Sequence, residues 1–188
     1  MEAFFVSAAV VALGEIGDKT QLLALVLAAR FQRPLPIILG ILVATLANHS
    51  LAGAVGMWVH DSVSPEVLRW GLGGSFIAIG LWALKPDALD EQPSTLGSSR
   101  VFLVTAVAFF LAEIGDKTQV ATIALAARFH ELVPVVAGTT LGMMIADVPA
   151  VFLGDKSASR IPLKTVRTVA AALFIVLGLG VLLGIGAG

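Results

Sequence analysis

The chain has 188 residues, 57% of them hydrophobic and 13% charged, with a mean hydropathy of +0.95. A soluble globular protein carries roughly 25% charged residues, so this composition points to a polytopic membrane protein and leaves almost no room for a separate soluble domain. The net charge of −1 offers no basic field for nucleic acid, and the absence of Cys excludes disulfides, thiolate metal sites and thiol catalysis.

Residues 1–14 lack the basic region of a signal peptide and run directly into more apolar sequence, so they are read as the start of a first membrane helix, retained in the mature protein. About 20 helical residues cross the hydrocarbon core. Six segments qualify: 3–29, 35–58, 66–84, 101–127, 133–153 and 165–186. RFQRPLP, HDSVSPE, RFHELVP and GDKSASRIPLK punctuate them. The stretch 85–100, with its Pro, Ser and acids and no apolar period, is a linker.

The second half repeats the first 98 residues on. Residues 15–21 and 113–119 both read EIGDKTQ, Leu27 to Phe31 matches Leu125 to Phe129, and Gly40, Gly56 and Arg69 match Gly138, Gly154 and Arg167. The expected architecture is therefore an all-α integral membrane protein: a three-helix repeat over 1–84, a cytoplasmic linker over 85–100, and a second three-helix repeat over 101–188. An odd number of spans per unit gives the halves inverted topology. The connections after the first, third and fifth spans carry Arg30, Arg33, Lys85, Arg100, Lys156, Arg160, Lys164 and Arg167, against Arg69 and Arg128 on the other side. That asymmetry places the former loops in the cytoplasm and both termini outside.

Both motifs fall near the middle of their spans, where an isolated charge costs at least about 2.5–3.5 kcal/mol. They must face a partner or a cavity, and inverted repeats bring the two first helices together about one axis. Glu15, Asp18, Glu113 and Asp116 are thus expected around one point. Glu15 and Lys19 are spaced i,i+4 for an ion pair. Gly17 and Gly115 allow close approach or local unwinding that frees backbone carbonyls. Thr20, Gln21, Thr118 and Gln119 add hydroxyl and amide oxygens.

Four carboxylates less Lys19 and Lys117 leave a charge of −2, which one divalent cation or two protons would fill. All-oxygen ligands favour hard ions, Ca²⁺, Mn²⁺ or Mg²⁺, over Cu or Zn. A purely structural role as ion pairs locking helices fits less well: hydrophobic residues would be as stable, and the excess negative charge would go unexplained.

Two copies of Glu-apolar-Gly-Asp-Lys-Thr, one on the first helix of each half, resemble the signature of the GDT family of cation transporters, which includes bacterial manganese exporters and a Golgi transmembrane protein. The resemblance covers the whole chain. It implies secondary transport of Mn²⁺ and Ca²⁺ with H⁺ as the exchanged ion, and manganese export across the cytoplasmic membrane of a bacterium. The cation-binding role would fall on Glu15, Asp18, Glu113 and Asp116, with Thr20 and Thr118 supporting. The ion is cargo, and no permanently bound cofactor is expected.

Asn48, His49 and Asp147 lie inside the second and fifth spans. An intramembrane acid is a functional candidate by default, so Asp147 is expected to add a ligand, relay a proton or pair with a motif lysine. Asn48 is a supporting candidate or a helix-to-helix hydrogen bond. His49 is read as a vestibule residue and not as a metal ligand. Gly71, Gly73, Gly74, Gly80, Gly178, Gly180 and Gly184 suit tight helix packing. Trp58, Trp70 and Trp82 suit interfacial anchoring, and Asp87, Asp90 and Glu91 a solvated loop. Two other classes compete with a carrier: a cation channel built on a ring of acids, and an intramembrane aspartyl protease, which needs only two acids and no lysines.

Overall fold

The computed structural model describes residues 1–84, 101–153 and 163–184; the 85–100 linker and the GDKSASR stretch lie outside the described residues. Every described element is helical. In chain order they are α1 (Glu2–Glu15), α2 (Lys19–Phe31), α3 (Pro34–Ser62), α4 (Pro65–Ala83), α5 (Val101–Glu113), α6 (Lys117–Phe129), α7 (Leu132–Leu153) and α8 (Leu163–Leu182).

The first expected span is not one helix but two half-helices, α1 and α2, and the fourth divides the same way into α5 and α6. The break falls on the motif in both cases. Gly17 and Gly115 take φ of +82° and +77°, a left-handed conformation that costs other residues about 1–2 kcal/mol. Asp18 and Asp116 then adopt extended backbone, and their side chains cap the new helices by accepting from Lys19 N and Thr118 N. The other boundaries carry familiar chemistry. Pro34 and Pro65 open α3 and α4 at positions where a missing N–H costs nothing, and Ser64 caps α4.

α3 and α7, 29 and 22 residues long, are long and apolar enough to cross a membrane. The polarity of the packing is inside out. Leu35, Leu39, Val43, Leu46 and Trp58 are exposed along α3, while Glu15, Asp18, Glu113, Asp116 and Asp147 are at most 1% exposed. Water would impose the opposite arrangement; hydrocarbon permits this one. Trp58, Trp70 and Trp82 are exposed, as interfacial anchors require.

The two halves are interleaved. α1 packs mainly on α7, α5 on α3, and α4 on α8. Matching glycines make the first two contacts possible. A Cβ on Gly40 would come within 2.7 Å of Thr105 Cβ and 2.9 Å of Phe102 O, and one on Gly138 would meet Ser7 Cβ and Phe4 O. Phe4 and Ser7 are the 98-residue counterparts of Phe102 and Thr105, so the same contact is made twice with the halves exchanged.

Candidate cation site

The two breaks meet in the middle of the helical assembly. α1 and α5 end on Glu15 and Glu113, presenting their negative carbonyl ends, while α2 and α6 begin immediately after Asp18 and Asp116. One carboxylate oxygen each from Glu15, Glu113 and Asp116 lies within 4.8 Å of the other two. All three residues are buried, and carboxylates at that separation offer an oxygen cage for a cation.

The lysines do not pair as a continuous helix would dictate. Lys19 Nζ lies 3.0 Å from Asp116 Oδ1, and Lys117 Nζ lies 2.7 Å from Asp18 Oδ2. Each motif lysine reaches the aspartate of the other motif. The expected Glu15–Lys19 pair is absent among the described residues because the turn at Gly17 puts Glu15 at the end of α1 and Lys19 at the start of α2, off any common face. Neither glutamate has an ion-pair partner among the described residues. Both Glu15 oxygens and Oε1 of Glu113 also lack a hydrogen-bond partner there.

The supporting residues divide by role. Thr118 donates its hydroxyl proton to Glu113 Oε2 at 2.8 Å, whereas the Thr20 hydroxyl is buried with no partner among the described residues. Gln21 and Gln119, expected as further oxygen donors, instead hold the breaks. Their Oε1 atoms accept from Gly17 N and Gly115 N, each at 2.8 Å. Their Nε2 atoms donate to Ala146 O at 3.0 Å and to Asn48 Oδ1 at 2.6 Å. Asn48 is thereby a bridge from α3 to the second motif, and its own amide donates to Phe110 O.

Asp147 sits on α7 within electrostatic reach of Asp18, Glu15 and Glu113, fully buried, with neither oxygen bonded among the described residues. Three acids thus lie within 4.8 Å of one another, with Asp18 and Asp147 within electrostatic reach of them. His49, the counterpart of Asp147, is fully buried as well. That corrects the vestibule reading: the ring is enclosed by helices, with neither nitrogen bonded among the described residues. Ser7, Thr45 and Thr140 are buried hydroxyls that the motif did not flag. Their only signal was polarity inside otherwise apolar helices.

The family model for the divalent cation/proton antiporter GDT1 matches residues 3–91 and 101–186. The chain belongs to the GDT1 family. Among its relatives is a Vibrio cholerae protein named provisionally as a manganese exporter, 48% identical over 180 residues, which cover 95% of this chain and 90% of that one. A GDT1-like protein of Oryza sativa is 30% identical, with 93% and 70% covered, and one of Synechocystis is 27% identical, with 93% of each covered. No solved structure is a significant match. GDT1 membership makes the chain a membrane protein of a cation-transporting family.

Proposed function

We propose that the chain is a secondary transporter that exchanges a divalent cation, Mn²⁺ first and Ca²⁺ second, for protons across the cytoplasmic membrane of a bacterium. The observation that carries this reading is the facing pair Glu15 and Glu113. They are buried, drawn from opposite halves, and lack an ion-pair partner among the described residues. The crossed Lys–Asp pairs balance each other, so with Asp147 carrying a proton the glutamates hold two charges that one divalent ion or two protons would neutralise. Loaded with either, the site crosses low dielectric at modest cost; empty, it is held back.

Glu15, Glu113 and Asp116 are the proposed cation ligands. Asp18, held by Lys117, completes the shell, and Thr118 orients Glu113. The half-helices ending at the site supply carbonyl and N–H dipoles, as in transporters built on broken helices. In this reading the six segments are spans in two inverted repeats, the termini lie outside, and rocking of one half against the other exposes the site to each side in turn. The family's transport role and the paired lysines favour a carrier over protease chemistry.

The test is flux in proteoliposomes. Mn²⁺ should be driven uphill by an imposed pH gradient, and Glu15→Gln or Asp116→Asn should abolish that flux in protein that remains folded. Flux that only runs downhill would make the protein a channel, and undiminished flux in both variants would remove these residues from the site.

A further inference from the structure

Where α3 and α6 both stop, three side chains outside the carboxylate site come together. His60 lies in the last turn of α3, Asp61 follows it, and His130 is the left-handed cap of α6, with φ 51° and ψ 34°. The two imidazoles stack with centroids 4.0 Å apart and planes 15° from parallel. His60 Nδ1 lies 2.6 Å from the carbonyl oxygen of Ala127, and His130 Nε2 lies 2.9 Å from Asp61 Oδ1. One ligand atom from each of the three falls within 4.8 Å of the others.

A carbonyl oxygen only accepts, so the His60 proton on that side belongs to Nδ1, and in that tautomer the lone pair for a cation is on Nε2. An imidazole anchored through one N–H to a backbone carbonyl, with the other nitrogen free, is how metal-ligating histidines are held. Asp61 supplies charge, either as a ligand or by orienting His130. Its side chain is 62% exposed and that of His130 44%, so an ion can reach the group with water completing its shell. Two imidazoles and a carboxylate suit first-row divalent ions, whereas Ca²⁺ and Mg²⁺ take oxygen.

The cluster is also one-sided. Gln32, the counterpart of His130, makes the same cap at φ 51° and ψ 34° without an imidazole. The counterparts of His60 and Asp61 are Ala158 and Ser159. Capping therefore does not require His130, and a chain that duplicates its carboxylate motif residue for residue leaves this cluster single. Along α3, His60 stands about 18 Å from Asn48, at 1.5 Å per residue, which separates the cluster from the buried site.

We propose that His60, Asp61 and His130 form a second cation site, at the surface of one end of the molecule, that takes a first-row divalent ion and not Ca²⁺ or Mg²⁺. It gives the transporter unequal faces, with the ion held at one mouth only.

Co²⁺ is the probe, read by its ligand-field absorption and by equilibrium dialysis on the full chain in detergent. The natural protein should bind two equivalents, and the Glu15→Gln/Glu113→Gln variant one, with a spectrum of nitrogen ligation. Zn²⁺ should displace that ion and Ca²⁺ should not. His60→Ala and His130→Gln should each weaken it at least about tenfold. His130→Gln installs the residue that already serves the same cap at position 32, so the fold is kept. Absence of Co²⁺ from the doubly substituted variant overturns the proposal, as does binding unmoved by His130→Gln or displacement by Ca²⁺. Should the double variant not fold, a stoichiometry of two in the natural chain and one in His130→Gln supports the second site equally well, and equal stoichiometry rejects it.

Discussion

Lys117 sets its ammonium 2.7 Å from Asp18, a residue of the other motif, and both side chains are at most 5% exposed. Removing one partner strands a buried charge. Lys117→Met should therefore destabilise the protein by about 3–5 kcal/mol, and adding Asp18→Asn should return most of the loss. Lys19→Met should cost less, because that side chain is 26% exposed and water compensates its aspartate in part. Thermal unfolding in detergent of the two single variants and the double one measures this. A double variant no better than Lys117→Met would break the claimed coupling.

The two threonines of the motif differ although the motif does not. Thr118 donates to Glu113, and Thr20 has no partner among the described residues. Hydrogen bonds to charged groups contribute about 1.5–3 kcal/mol. Thr118→Val should accordingly change apparent cation affinity about tenfold or more, while Thr20→Val leaves it nearly untouched. Concentration dependence of Mn²⁺ uptake separates the two, and equal effects would mean that the bond does not serve the loaded site.

Gly115 tests the break itself. Nothing lies within 4 Å of where its Cβ would sit, so space is not the constraint; its φ of +77° is. Gly115→Ala should cost about 1–2 kcal/mol, and Gly115→Asn less, since Asn visits this region more readily. Gly138→Ala meets backbone oxygen on α1 and should lower the unfolding temperature further than Gly115→Ala. Gly115→Asn costing as much as Gly115→Ala would mean that backbone conformation does not limit position 115.

Asp147 is buried beside the motif acids without a partner among the described residues. Asp147→Asn keeps its shape and removes a potential charge, so the fold should be at least as stable while proton-driven Mn²⁺ flux falls at least about tenfold. Natural flux in that variant would exclude Asp147 from the site.

Much of this arrangement was legible in the residues. Gly17 and Gly115 inside two apolar spans admitted local unwinding as one of two readings, and a 98-residue repeat, gapless across much of the chain, put Glu15 and Glu113 in equivalent places. What misled was a local rule. The i,i+4 pairing of Glu15 with Lys19 assumes an unbroken helix, and the same Gly17 that marked the break removes that geometry. Gln21 reads as a ligand because its partners, Gly17 N and Ala146 O, are backbone atoms that no side-chain pattern advertises. His60 and His130 stand 70 residues apart and neither is repeated as a histidine in the other half, so only the packing of α3 on α6 joins them.

The exchange of helices between the halves also sets an order of events. α1 finds its principal partner in α7, whose first residue leaves the ribosome 130 positions after the first of α1. Until residue 113 follows, Glu15 sits at the end of a half-helix with no facing Glu113, and even then it waits for α7, the helix on which α1 packs. The earliest segment made is among the last to be secured, and a chain stopped before α7 would hold its most polar stretch in the membrane without the neighbours that accommodate it.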